Sequence, residues 1–146
     1  MAFSSSITQD VVQVGAGERW GSQNIILAEK DYVDGLKVGR FAQYKAGELT
    51  NLDGTASPVI AGVVLRNVAS PIEYGAVFNK ELVQQANYLR VGLTTVDVKD
   101  GETPTKFGAV YADNATGEAT ATDTDIATGA EFIQEVKDGV WLILQK

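Results

Sequence analysis

Between Tyr88 and Val98 apolar and polar side chains alternate at the period of a β-strand, with Leu89, Val91 and Leu93 on one face. The apolar set then changes phase to Val96 and Val98, with Thr94-Thr95 between. A strand cannot switch faces without a local irregularity, because a one-residue slip inverts every side chain. The pattern therefore predicts irregular pairing within two residues of Thr95, at a bulge or at a corner between packed layers. Lys99 to Thr105 carries Asp100-Gly101 and Pro104, which are turn residues, and Phe107 opens a return strand toward Ala112. The stretch from Tyr88 to Ala112 thus reads as a hairpin on which the rest of the chain is arranged.

The same short-strand pattern recurs on both sides. Ile25 to Ala28 and Val38 to Tyr44 are strands separated by a turn at Asp31 to Gly35. Ala46-Gly47 and Asp53-Gly54 mark further turns, and Pro58 introduces Val59 to Leu65, apolar on both faces and so buried on both. Residues 70–87 leave two readings open: Lys80 to Ala86 as two helical turns of good helix formers, or a continuing sheet through Ala76 to Phe78. After Ala112 the polar run Asp113 to Asp125 is a loop with a short edge strand at Glu118 to Ala121. The chain closes with a hairpin, Ala130 to Val136 and Val140 to Leu144, around Asp138-Gly139. Short strands with turns every eight to twelve residues predict an all-β fold, a small barrel or a jelly-roll-like sandwich with at most one short helix.

An internal echo accompanies this pattern. Gly39-Arg40-Phe41-Ala42-Gln43-Tyr44-Lys45-Ala46-Gly47-Glu48-Leu49-Thr50 is matched, one residue longer, by Gly108 to Thr120, and each is followed by a glycine-led strand, at Gly62 and Gly129. Either the fold contains two related β units, or recurrent turn chemistry produces the match.

Residues 1–23 differ from the rest. Ser4-Ser5-Ser6, Gly15-Ala16-Gly17 and Gly21 surround Ile7, Val11, Val12, Val14 and Trp20, which suits an extended N-terminal arm lying on another surface, followed by one β domain over residues 24–146. The plainer reading is a frayed start with an edge strand at Val11 to Val14. Gly15 to Gly21 superficially resembles a dinucleotide-binding loop, but such a loop works only where a helix begins, and none is predicted.

Composition narrows the chemistry. Hydrophobic residues make up 45% and charged residues 21% of the 146-residue chain, ordinary for one folded domain, and no apolar run reaches membrane-spanning length. With no cysteine and no histidine, disulfides, thiolate chemistry, common zinc sites and Ser-His or Cys-His mechanisms are excluded. A formal charge of −7 disfavours binding to phosphate backbones, so no nucleic-acid partner is expected. No secretory signal is visible at Met1 to Ile7. Asp113, Asn114, Asp123 and Asp125 match no calcium-loop spacing and read as solvated loop acids. Glu73, Glu81, Asp97 and Glu102 are the carboxylates a glycosidase would need, but spacing alone pairs none of them. No cofactor, metal or catalytic residue is assigned. Trp141 lies in an apolar strand and reads as core, whereas Trp20 is the better contact aromatic.

The order Gly62-Val63-Val64-Leu65-Arg66-Asn67-Val68, Tyr74-Gly75-Ala76-Val77-Phe78-Asn79, Gly92 to Val96, Phe107 to Ala112, Glu131-Phe132-Ile133 and Val140-Trp141-Leu142 resembles the structural cement, or decoration, proteins of tailed bacteriophages. The resemblance runs from about Gly39 to the C-terminus. It implies a small all-β protein of the virion, made in the host cytoplasm, that sits on the outer capsid surface, ties major capsid subunits together and self-associates as a dimer or trimer. It transfers no catalytic residues. On this reading the capsid contacts are the arm residues Phe3, Ile7, Val11, Val12, Val14 and Trp20. The alternative is a carbohydrate-binding or adhesin-like β-sandwich, in which Tyr44, Tyr74, Tyr88 and Tyr111 would form an aromatic platform.

Overall fold

The computed structural model describes residues 16, 17, 19–66 and 85–146. Among the described residues nine strands form one curled sheet: β1 (Arg19–Glu29), β2 (Phe41–Lys45), β3 (Glu48–Asn51), β4 (Ile60–Val64), β5 (Ala86–Asp97), β6 (Ala109–Ala112), β7 (Ala119–Thr120), β8 (Ile126–Lys137) and β9 (Val140–Gln145). The all-β expectation holds, and no helix occurs among the described residues. Residues 67–84 lie outside them, and with them most of the 70–87 stretch that left helix or sheet open; its last two residues, Ala86 and Asn87, begin β5.

The strand order β3-β2-β4-β5-β9-β8-β6-β7, with β1 against β5, contains the same unit twice. In the first unit β1 pairs with β5, β5 with β4, β4 with β2 and β2 with β3. Tyr32, just past β1, then closes the ring by a parallel bridge to Leu49 on β3. In the second unit β5 takes the place of β1: it pairs with β9, β9 with β8, β8 with β6, β6 with β7, and Val98, just past β5, bridges in parallel to Ala119 on β7. Leu49 and Ala119 are the matching residues of the Gly-Glu-Leu-Thr and Gly-Glu-Ala-Thr segments. The repeat also extends upstream, where Asp31-Tyr32-Val33-Asp34-Gly35 corresponds to Asp97-Val98-Lys99-Asp100-Gly101. The echo is therefore structural: two five-stranded units share β5.

Two cores follow. Tyr32, Leu36, Val38, Ala42, Leu49, Ala61 and Val64 fill the first unit. Val96, Val98, Val110, Phe132 and Ile143 fill the second, joined by Phe41 and Val63 from the outer face of the first. Strands β2 and β4 thus serve both cores, with Phe41 and Val63 on one side and Ala42 and Val64 on the other. Gly62 makes this phase possible. It sits in a bulge, where Ala42 opposes Gly62 but Gln43 opposes Ile60, and its φ of 152° leaves no room for a side chain, since a Cβ would lie 2.0 Å from the Leu89 carbonyl oxygen. The β8–β6 pairing is interrupted at the corresponding place, between Ala109 and Tyr111, opposite a stretch that includes Gly129.

Two expectations are corrected. The Tyr88–Ala112 stretch is not a hairpin: β5 and β6 are consecutive but unpaired, because β9 and β4 take one edge of β5 and β1 the other. The intervening residues instead cross the end of the second unit, where the Lys99 amide donates to the Ala119 carbonyl at 3.0 Å. The second correction is one of edge: the ladder from Gly92 to Asp97 along β9 is unbroken, and the irregular pairing of β5, bounded by Leu93 two residues from Thr95, is with β1. It lies upstream and on the other edge, where the β1 register shifts between Trp20 and Ile25 opposite Leu93 and Val91. The phase change follows from this position. Leu89 is buried and Val91 exposed, whereas Thr94, Thr95 and Val96 are all buried.

Candidate interaction surface

The start of the described chain is locked into a seam. Ala16 is fully buried, Gly17 donates its N–H to the Thr95 carbonyl at 2.6 Å, and its own carbonyl accepts from Arg66 at 2.9 Å. Ala16 lies so close to Gly39 that a Cβ on the glycine would come within 2.1 Å of the alanine Cβ. The glycine-rich stretch leads into β1 and not into a helix, which is the geometry a nucleotide loop lacks.

β1 carries the apolar surface. Ile25 is 54% exposed, and Leu27 and, opposite Ile25 on β5, Val91 are exposed as well. Among the described residues β1 is paired along one edge only, to β5. A second prominence is Phe107, 64% exposed with φ of 66°. For a phenylalanine the left-handed region costs on the order of 1 kcal/mol. Two hydrogen bonds hold it there: Phe107 N–H to the Phe132 carbonyl at 2.7 Å, and Phe132 N–H to the Gly108 carbonyl at 2.8 Å. Lys106 Nζ stands 5.3 Å from the ring centroid. A cavity of about 330 Å³ beside it is lined by Phe107, Ala109, Tyr111 and Ala127 among others.

The polar groups are mostly structural. Arg40 bridges Asp97 at 3.6 Å and Glu118 at 3.9 Å, fastening the start of β2 to the end of β5 and to the β6–β7 loop. Burial raises the Asp97 pKa despite the arginine. Asp113 is held below the usual carboxylate range by Lys99, with which it makes a close ion pair, and by the Ala115 amide. Glu102 accepts from the Ala121 amide and the Thr122 hydroxyl, and Asp125 accepts from the Thr120 hydroxyl. Of the carboxylates weighed from the sequence, Asp113, Asp125 and Glu102 lie around Lys99, Asp97 at the end of β5 pairs with Arg40, and Glu73 and Glu81 lie outside the described residues. Among the described residues no group of His, Cys, Asp and Glu gathers as a metal site.

Of the predicted contact residues, Phe3, Ile7, Val11, Val12 and Val14 lie outside the described residues, and Trp20 falls within β1, its backbone opposite Leu93. Of the tyrosines, Tyr44 is exposed, Tyr88 packs against the first core within electrostatic reach of Tyr44, Tyr111 is half-buried on β6 in the second unit, and Tyr74 lies outside the described residues. Trp141 packs against the second core, edge-on to Phe132 with centroids 5.4 Å apart. Sequence reasoning missed the exposed apolar face of β1, because Ile25-Ile26-Leu27-Ala28 is indistinguishable by composition from a buried strand. It also missed Phe107, whose backbone conformation no pattern signals.

A twice-repeated β unit, with one edge of an apolar strand unpaired among the described residues and a strained, exposed aromatic, offers surfaces suited to contact with other proteins. The family model of the XM1 gp53 minor capsid protein matches residues 7–144, and the chain belongs to that family. A chain of a solved structure described as the capsid of the Myoviridae phage XM1 is similar over 92% of this chain and 91% of its own length, with 32% identity and a TM-score of 0.85. None of the curated proteins compared with the chain matches it. The protein is thus a structural component of a phage capsid, located in the virion and associated with the shell.

Proposed function

We propose that the protein is a cement, or decoration, protein that binds the outer surface of the major capsid shell and stabilises it without catalysis. The observation that carries this reading is the whole-chain likeness to a phage capsid chain at 32% identity. The exposed Ile25, Leu27 and Phe107 supply the apolar contact area such binding needs. The arm residues Phe3, Ile7, Val11, Val12, Val14 and Trp20 reach a neighbouring subunit, with the major capsid protein as partner and self-association as a dimer or trimer. The domain that remains is the β fold. Because an icosahedral shell repeats each contact many times, a modest single interface suffices through avidity.

The test is co-sedimentation with purified shells. Deleting residues 2–15 spares every described strand and should abolish binding while circular dichroism and the unfolding midpoint stay those of a folded domain. Binding equal to that of the intact chain would overturn the arm assignment. Failure of the intact chain to bind any shell would overturn the cement reading itself.

A further inference from the structure

We propose that residues 119–125 form a flap latched by the carboxylates of Glu102 and Asp125, and that acidification releases the flap and uncovers the second core while the rest of the fold stays in place.

The flap is thinly tied for what it covers. β7 meets β6 at two positions, Tyr111 opposite Thr120 and Ala112 opposite Ala119. Its other edge is held by the Val98 bridge and by the Lys99 amide on the Ala119 carbonyl. Ala119 and Thr120 are nevertheless fully buried, and Ala119 belongs to the second core with Val98, Val110 and Ala112. Residues 121–124, which follow, are exposed. A segment with so few ladder bonds opens at a lower free energy than the strands behind it. Those strands do not depend on it, since β5, β9, β8 and β6 pair with one another without β7.

The side-chain ties of the flap end on carboxylates. Glu102 Oε1 accepts from the Ala121 amide at 2.7 Å and from the Thr122 hydroxyl at 2.8 Å, and Asp125 Oδ2 accepts from the Thr120 hydroxyl at 2.6 Å. A hydrogen bond to an ionised acceptor is roughly twice as strong as one between neutral groups, and a proton on the carboxylate removes that advantage. The stretch just before the flap is anchored differently. Asn114 Nδ2 donates to the Thr55 carbonyl at 2.9 Å, the Gly54 amide to the Asn114 carbonyl at 2.7 Å and the Phe41 amide to the Gly117 carbonyl at 2.9 Å, all neutral pairs that acid leaves alone. The anchored stretch therefore ends at Gly117, and the acid-sensitive one begins beyond it, with Glu118 on Arg40 between the two.

The charges around the flap act in the same sense. Lys99 stands within electrostatic reach of Asp113, Asp125 and Glu102, and Arg40 faces Asp97 and Glu118. Both cations keep their charge in acid, as Tyr111 keeps its proton, so the acids alone change. Space for the movement is already present. A cavity of about 420 Å³ lies between Ala121, Thr122 and Asp123 of the flap and Tyr111 and Phe132 of the strands, so release of the flap opens it onto Phe132.

The chain has no cysteine, so an introduced thiol reports one position. Ala119→Cys is reacted with 2,2′-dithiodipyridine, which thiols reduce in acid as well as at neutral pH, and each rate is referred to that of glutathione at the same pH. The referred rate should rise about tenfold or more between about pH 7 and about pH 3, with far-ultraviolet circular dichroism unchanged. Ala42→Cys, buried in the first core, should keep its rate. A constant rate at Ala119→Cys overturns the proposal, and so does equal acceleration at both positions, which is global unfolding. Hydrogen exchange on the unsubstituted chain, referred to the intrinsic amide rate at each pH, gives a second reading free of the thiol. Protection of amides 119–121 should fall about tenfold or more over the same range while amides 141–144 keep theirs. Glu102→Gln retains an acceptor and removes the charge, and at about pH 7 it should lower the protection of 119–121 about threefold or more. Protection that neither acid nor this substitution lowers overturns the proposal.

Discussion

Across the β1–β5 seam the Asn24 side chain fills the space that a Cβ on Gly92 would need. Asn24 Oδ1 accepts the Leu93 amide at 3.1 Å, replacing the ladder bond that the β1 bulge removes, and it does so from a position 2.0 Å from where a Cβ on residue 92 would stand. Gly92 also has φ of 129°, which side chains disfavour. Gly92→Ala should therefore displace the amide, strand the Leu93 N–H and destabilise the fold by about 2–4 kcal/mol. Chemical denaturation measures the loss, and a midpoint within error of the parent would show that the bulge relaxes freely.

How much of this was legible in the sequence depended on which interaction set each feature. Strand identities at Ile60–Val64, Val140–Gln145 and the tight turn at Asp138-Gly139 followed from local alternation and turn chemistry. The echo of Gly39 to Thr50 in Gly108 to Thr120 was visible as well, but its meaning, two rings sharing β5, was not. Ring closure by Tyr32–Leu49 and Val98–Ala119 is a long-range parallel contact with no local signature. The mistaken hairpin had the same origin. A phase change along β5 records that something irregular opposes it, yet nothing local says that the irregular partner is β1 and not the next strand. The exposed face of β1 was illegible for a related reason, since burial depends on what lies across the edge.

The carboxylates give the fold two opposing pH dependences. Asp53 is held below its ordinary pKa by the Thr55 hydroxyl first, then by Lys45 and Gln43, and Asp113 by Lys99 first. Their contribution is present above the unfolded carboxylate pKa and is lost as pH falls below it toward the folded values. Asp97 has the other sign. Its raised pKa, caused chiefly by burial, means that the native state holds the proton more tightly, so stability falls as pH rises from the unfolded carboxylate value through the raised one. Asp97→Asn should therefore gain stability relative to the parent as pH rises above the unfolded carboxylate value of about 4. Urea midpoints measured as pH rises check it, and a constant difference between the two proteins would remove Asp97 as the cause.

Phe107 combines a conformational cost with exposure, and substitution should separate the two. Phe107→Asn relieves the left-handed backbone at φ of 66° while sparing the amide bond to Phe132, and should leave stability unchanged or raise it by about 0.5–1 kcal/mol. If the exposed ring is a shell contact, binding weakens in the same variant. Thermal unfolding and shell co-sedimentation measured side by side give the result. A loss of stability would show that the ring's contacts with its surroundings outweigh the strain.

The two cores should unfold as one. Strands β2 and β4 give Phe41 and Val63 to the second core and Ala42 and Val64 to the first, and β5 runs through both rings, supplying Ala86 to one and Val96 to the other. Neither ring can open without exposing side chains of its neighbour. Leu49→Ala in the first core and Phe132→Leu in the second should each lower the midpoint of a single transition. The expected costs are about 2–5 kcal/mol for the leucine and about 1–3 kcal/mol for the phenylalanine. In a Trp20→Phe background Trp141 reports on the second core alone, because it packs edge-on to Phe132. Its fluorescence transition should coincide with the loss of far-ultraviolet circular dichroism, in the parent and in both core variants. A Trp141 transition that stays in place while Leu49→Ala shifts the remainder would show that the shared strand does not couple the rings.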